Sequence, residues 1–185
     1  ALHTTICMGS GVGMLHGASK ALGKDGLGKM VAVLGDSTFM HSGVLPLADI
    51  VYNKGYGTVI VLDNRITGMT GHQEHPGTGF TVRQEPTNMV DYKEIGNAVG
   101  VKSVRYIDPY NIKECMEIIK EEMEKEARAM RDYLAEYGSY EKKKWAITEE
   151  YEKRIREAAT DGEKDSLRGE LKKKLSDLDL KELKD

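Results

Sequence analysis

Met30-Val31-Ala32-Val33-Leu34-Gly35-Asp36-Ser37-Thr38 is an apolar run that ends on a small, polar turn, and Thr58-Val59-Ile60-Val61-Leu62-Asp63-Asn64 repeats the design. Short runs of Val, Leu and Ile bounded by Gly or Asn read as buried strands. Between them, residues 44–52 carry apolar side chains at 44, 47, 48, 51 and 52, which is helical spacing, with Pro46 tolerated in the first turn and Asn53 and Gly55 as stops. Residues 30–62 therefore read as one β-α-β unit with parallel strands and a right-handed crossover. The fold class is α/β, a parallel sheet with flanking helices. Parallel strands point their carboxyl ends the same way, so Asp36 and Asn64, 28 residues apart, meet where open α/β sheets bind ligands.

The residue types at that meeting point are chemically selective. A carboxylate and an amide oxygen are hard donors of the kind Mg2+ prefers. Gly35, Ser37 and Thr38 leave room for a phosphate and offer it N–H or O–H groups. The pair reads as a metal-diphosphate clamp, although an aspartate at a strand end also commonly caps the next helix or turn.

Outward from the clamp, residues 9–22 begin glycine-rich and continue with Val12, Leu15, Ala18, Ala21 and Leu22 at helical spacing, a helix able to pack closely on the sheet. Residues 65–90 hold Gly68, Gly71, Pro76, Gly77, Gly79 and Pro86 with little periodicity, so they form a long active-site loop. A helix over 91–99 would be capped by Asp91, with Ile95, Ala98 and Val99 facing inward. Residues 101–107 read as a further strand ended by Asp108-Pro109.

The texture changes near residue 111. The first 110 residues carry 18 charged side chains and the last 75 carry 39. Ile112, Cys115, Ile118, Ile119, Met123, Ala127, Met130 and Leu134 recur at three- and four-residue intervals, which predicts an amphipathic helix of about twenty-five residues. A second helix over about 140–159 offers Tyr140, Ile147, Tyr151, Ile155 and Ala158 as contact positions, and a third from Asp161 shows Leu167, Leu171, Leu175 and Leu178. The chain thus divides into an α/β domain over 1–115 and a charged helical extension over 116–185, as a hairpin or coiled coil or as a solvated tail.

A formal net charge of −3 without a basic stripe argues against nucleic acid or an anionic membrane as partner. Cys7 and Cys115 stand far apart with no CxxC, which suits a reducing cytoplasm and leaves no cysteine-ligated iron–sulfur cluster in this chain. No apolar run approaches the roughly 20 residues that span a bilayer, and no signal peptide is visible. The start at Ala1, without Met, suggests a fragment or processed chain.

The Gly-Asp pair followed by Asn64 resembles the thiamine-diphosphate signature. Three blocks narrow the likeness: Gly35-Asp36-Ser37-Thr38-Phe39-Met40-His41-Ser42-Gly43, Asp63-Asn64-Arg65-Ile66-Thr67-Gly68-Met69-Thr70-Gly71-His72-Gln73, and His75-Pro76-Gly77-Thr78-Gly79. With Cys7-Met8-Gly9-Ser10-Gly11-Val12-Gly13-Met14, they resemble the alpha subunit of indolepyruvate ferredoxin oxidoreductases over roughly residues 1–110. The resemblance implies a thiamine-diphosphate-binding fold in which Asp36, Asn64 and the carbonyl of Ile66 ligate Mg2+. It implies that Gly35, Ser37 and Thr38 hold the diphosphate, with Thr67, Gly68, Met69 and Thr70 beside it, and that Cys7, Met8 and Gly9 approach the aminopyrimidine. Cys7 is there a packing residue rather than a nucleophile. The implied activity is oxidative decarboxylation of a 2-oxoacid to an acyl group that coenzyme A accepts, in an oligomer. It needs a separate pyrimidine-binding domain or subunit and a ferredoxin-type electron carrier, so no turnover is expected from this chain alone.

His41, His72 and His75 sit near glycine-rich turns, but no HxH or HExxH spacing marks a zinc site. They read as surface or structural histidines, and His41, nearest the clamp, is the one assigned a binding role. Residues from about 132 onward resemble helical stretches of phage tape-measure proteins, which suggests a fused chain. The alternative to the enzymatic reading is a non-catalytic helical scaffold that retains an α/β module.

Overall fold

The computed structural model describes residues 6–182, and its contacts divide the chain into two compact units, Ala1–Glu126 and Ala127–Asp185. In the first, α1 (Ser10–Leu22) precedes β1 (Val31–Gly35), α2 (Asp36–Thr38), α3 (Val44–Tyr52), β2 (Thr58–Leu62) and α4 (Tyr92–Ala98). A wide π turn, Phe39–Gly43, joins α2 to α3, so residues 36–52 form one helical run. α5 (Ile112–Tyr137) follows, then α6 (Tyr140–Glu157) and α7 (Asp161–Glu182). Among the described residues no helix is long and apolar enough to cross a membrane.

β1 and β2 pair in parallel, Val31 opposite Thr58 and Gly35 opposite Leu62, so the β-α-β unit forms as its sequence predicts. That register sets Asp36 level with Asp63, one residue before Asn64. Ala32 and Leu34 of β1 turn toward Val12 and Leu15 of α1, Phe39, Leu47, Ile50 and Tyr92, with Val59 and Val61 of β2 packed against the same cluster. Full burial of one Val or Leu side chain is worth roughly 1.5–3 kcal/mol, so this covered face supplies most of the unit's cohesion. The expected burial holds for that face only. Val31 is 39% exposed, Val33 49% and Leu62 58%, because no described element covers the opposite face.

Two other expectations are corrected. The buried stripe of α1 is Val12, Leu15 and Ser19, while Ala21 and Leu22 are exposed, because the position of the sheet rather than the apolar count sets which side faces inward. Residues 101–107 are not a strand: no described strand pairs with them. They instead cross α4, where Val104 Cγ2 lies 2.8 Å from the point a Cβ on Gly96 would occupy. Tyr106 donates its hydroxyl to Asp91 (2.8 Å) and Arg105 lies 3.3 Å from Glu122. The Asp91 cap is as expected, its carboxylate accepting from Lys93 N (2.7 Å) and Glu94 N (3.3 Å).

In the second unit α6 and α7 pack on each other, burying Ala146 and Tyr151 against a half-buried stripe of Leu167, Leu171, Leu175 and Leu178. The other expected contact positions of α6, Tyr140, Ile147, Ile155 and Ala158, are also half-buried. Arg154 and Lys174 lie 4.9 and 5.2 Å from the centre of the Tyr151 ring. The ion pairs along these helices are solvent-exposed and contribute little each.

Candidate functional site

Asp36 is 2% exposed, at the point where β1 turns into the helical run of residues 36–52. Burying a carboxylate is costly unless donors surround it. Here the donors are backbone: Oδ1 accepts from Ser37 N (2.8 Å) and Oδ2 from Arg65 N (2.7 Å). Arg65 directly follows Asn64 and takes a left-handed backbone at φ 57°, which turns its N–H back toward β1. The strand ends thus meet through the Asp36 carboxylate. A second tie lies beside it, Ser37 Oγ to Thr67 Oγ1 at 2.7 Å.

The remaining residues singled out by sequence surround this knot unevenly. Asn64 is exposed, its Oδ1 accepting from Ile66 N at 3.1 Å in a local turn. Asp63 holds the Arg65 guanidinium at 2.8 Å and raises its already high pKa through that bond. Thr67 and Gln73 exchange backbone hydrogen bonds, closing a small hairpin whose tip carries Gly68, Met69 and Thr70. The backbone at Gly35 and Gly68 borders open space, since a Cβ at either would meet nothing within 4 Å.

Residues 7–9 reach the clamp from the amino-terminal side. Cys7 and Met8 are exposed, and Ser10 Oγ donates to the Cys7 carbonyl at 2.7 Å. Gly9 has φ +85° and lies so close to the turn after Asp36 that a Cβ on it would fall 2.0 Å from Ser42 Oγ and 3.3 Å from Thr38 Cγ2. Only glycine meets both demands. Segments 7–9, 35–38 and 64–70 therefore converge.

The histidines separate differently than their sequence positions implied. His41 and His72 are exposed. His75, read as a surface or structural residue, is instead buried against the clamp, with Nε2 3.3 Å from Asp36 Oδ2. Tyr92 is a second buried neighbour that sequence reasoning missed. It meets Phe39 edge-on at 5.9 Å, and its phenol is pushed up to about 12, first by burial and then by the negative charge of Asp36. The one sequence signal for His75 was its place at the head of the His-Pro-Gly-Thr-Gly turn. Among the described residues no three or more His, Cys, Asp or Glu side chains gather as a metal cluster.

The family model "Thiamine pyrophosphate enzyme, C-terminal TPP binding domain" matches residues 2–131, the part that contains this site. The chain is 41% identical over 116 residues to indolepyruvate oxidoreductase subunit IorA of Archaeoglobus fulgidus, covering 63% of this chain and 18% of that protein. It is 42% identical over 133 residues to the IorA subunit of Pyrococcus abyssi (66% and 20%), and 38% identical over 125 residues to that of Methanothermobacter thermautotrophicus (68% and 20%). The chain thus spans about a fifth of the length of these relatives. No solved structure matches it.

Proposed function

Because the chain belongs to the thiamine pyrophosphate enzymes through their C-terminal TPP binding domain, we propose that it binds thiamine diphosphate with Mg2+ as part of a 2-oxoacid ferredoxin oxidoreductase of the indolepyruvate type. The observation that carries this reading is the buried Asp36 carboxylate, tied by Arg65 N–H to the end of the neighbouring strand. A cation offsets the desolvation of such a group. The donor set suits Mg2+: Asp36 and Asn64 would offer side-chain oxygens and Ile66 a carbonyl, hard donors of the kind that cation prefers.

Ser37 and Thr38 stand at the amino end of the helical run of 36–52, where they would hold a diphosphate, and the open border at Gly35 and Gly68 would admit it without a side chain in the way. Thr67, Gly68, Met69 and Thr70 line the other side. Cys7, Met8 and Gly9 form the wall toward the aminopyrimidine, with Cys7 as a packing residue. When bound, thiamine diphosphate supplies the carbon nucleophile and electron sink for decarboxylation of a 2-oxoacid. The chain's own residues bind, orient and exclude water.

The oxidative half of the reaction, with coenzyme A as acyl acceptor, calls for a pyrimidine-binding domain or subunit and a ferredoxin-type carrier. The apolar face of Val31, Val33 and Leu62 is a surface on which a further domain could pack. A cytoplasmic setting agrees with two cysteines that both stay as thiols.

The test is the melting temperature of the chain with thiamine diphosphate, with and without Mg2+. A ligand bound only by the native state, at 100 times its Kd, stabilises by about 2.7 kcal/mol. We expect a Mg2+-dependent rise in the wild type and none in Asp36→Ala; no rise in the wild type, or an equal rise in the variant, would sink the reading. Mixed with aryl pyruvate, coenzyme A and a dye acceptor, the isolated chain should show no turnover. A helical scaffold is the second reading, favoured by the independently packed α6–α7 pair; self-association lost on deleting residues 138–185, without any thiamine diphosphate binding, would support it.

A further inference from the structure

The Asp36 carboxylate has about four lone-pair positions, and the structure occupies them asymmetrically. Oδ1 accepts a single bond, from Ser37 N. Oδ2 accepts from Arg65 N at 2.7 Å and also faces His75 Nε2 at 3.3 Å. The imidazole is held from behind, because Gly77 N donates to its Nδ1 at 3.2 Å. With Nδ1 as acceptor, the neutral ring carries its proton on Nε2, aimed at the carboxylate. The side chain of His75 is only 5% exposed, and Nε2 has no aligned hydrogen bond among the described residues. A donor enclosed this way has Oδ2 as its neighbour.

The turn that carries His75 is itself fixed. Thr78 N and Thr78 Oγ1 both donate to the His75 carbonyl (2.9 and 3.0 Å), and Val90 N donates to the Pro76 carbonyl at 3.0 Å. Gly77 is required there, since a Cβ on it would stand 1.8 Å from the Tyr92 hydroxyl oxygen and 2.9 Å from His75 Cε1. Sequence distance is large, 39 residues from Asp36 to His75, yet packing of this turn sets the imidazole beside the carboxylate.

We propose that His75 is a positioning residue of the metal clamp: beside the Arg65 N–H, its Nε2 stands 3.3 Å from Oδ2 of Asp36 and so turns Oδ1 toward a divalent cation. This rests on the thiamine diphosphate and Mg2+ reading above. A group that orients a metal ligand without touching the metal commonly changes metal affinity 10–100-fold when lost. His75 acts through Asp36 in that sense.

Mn2+ replaces Mg2+ as a spectroscopic probe, titrated by electron paramagnetic resonance into the chain with thiamine diphosphate present. The informative pair is His75→Gln and His75→Asn, both polar and both able to fill much of the ring's space. The amide nitrogen of Gln reaches about as far as Nε2, and that of Asn only as far as Nδ1. Gln should bind Mn2+ within about threefold of wild type and Asn about tenfold more weakly. Equal affinity in the two variants, or equal loss in both, overturns the proposal while wild type binds and Asp36→Ala does not. If wild type fails to bind, or Asp36→Ala binds as well, the underlying cofactor reading falls with it. Exchange protection of β1 amides, measured on the same samples, should be the same in both variants; loss of protection in Asn alone that accounts for its weaker binding would make His75 a packing residue and also overturn the proposal.

Discussion

Gly9→Ala should loosen the junction between α1 and the clamp, and the structure supplies the size of the effect. Gly9 sits at φ +85°, where a residue with a Cβ costs about 1–3 kcal/mol. The added methyl would also fall 2.0 Å from Ser42 Oγ and 3.0 Å from Ser42 Cβ. Rotating the hydroxyl away sacrifices its bond to the Thr38 carbonyl, 3.1 Å long, and leaves the Cβ contact in place. One lost hydrogen bond is worth about 1 kcal/mol, so the total is roughly 2–4 kcal/mol. The same α1 provides an internal control. Gly17 is exposed, helical and has nothing within 4 Å of an added Cβ, so Gly17→Ala should stabilise by up to about 1 kcal/mol. The chain has two compact units, so a melt carries a transition for each and the effect is read in that of the first. Hydrogen exchange read on peptides of α1 and β1 isolates the first unit, where amides that exchange by opening of the whole unit should speed up roughly thirty-fold to several-hundred-fold in Gly9→Ala and slow down in Gly17→Ala. Rates in Gly9→Ala within threefold of wild type, or equal acceleration by both substitutions, would refute the close-approach reasoning.

Tyr92→Phe removes a buried hydroxyl that has no hydrogen-bond partner among the described residues, so stability should stay level or rise by up to about 1 kcal/mol; a urea unfolding free energy lowered by about 1 kcal/mol or more would reveal a partner for the hydroxyl. Asp91 caps α4 and accepts the Tyr106 hydroxyl, which holds its carboxyl below the usual carboxylate range, with the Lys93 N–H adding to the effect. A depressed native pKa means the stabilisation is complete above the unfolded value near 3.9 and is lost as pH falls through the lower native one. Asp91→Ala should therefore melt lower than wild type at pH 7, with the gap closing as the pH drops below about 4; a gap independent of pH would rule out the charged cap.

Several features were legible because they are local. The β-α-β unit, the bounds of the long helices and the Asp91 cap each depend on spacing within a few residues, and the parallel orientation of the strands then follows from the crossover. The meeting of residues 35–38 with 64–70 followed as well, since strand ends in such a unit point one way, whereas residues 7–9 were placed there by the family resemblance alone. Other features belong to distance. The inward side of α1 was set by where the sheet lies, and so Ser19 is buried while Leu22 is not. Residues 101–107 had apolar members enough for a strand, but a strand exists only by pairing, and these residues pack across α4 instead.

The clamp itself divides along the same line. That Asp36 ends β1 and Asn64 follows β2 is written in the order of residue types along the chain. That Arg65 N–H, rather than Asn64, closes on the carboxylate required a left-handed turn at one residue, φ 57°. That His75 rather than His41 stands at Asp36 required two irregular turns and a glycine with no room for a Cβ. Periodic hydrogen bonding and side-chain spacing repeat along a segment and so can be read from it, whereas a contact between distant, aperiodic segments exists only once packing has chosen among the many paths their backbones could take.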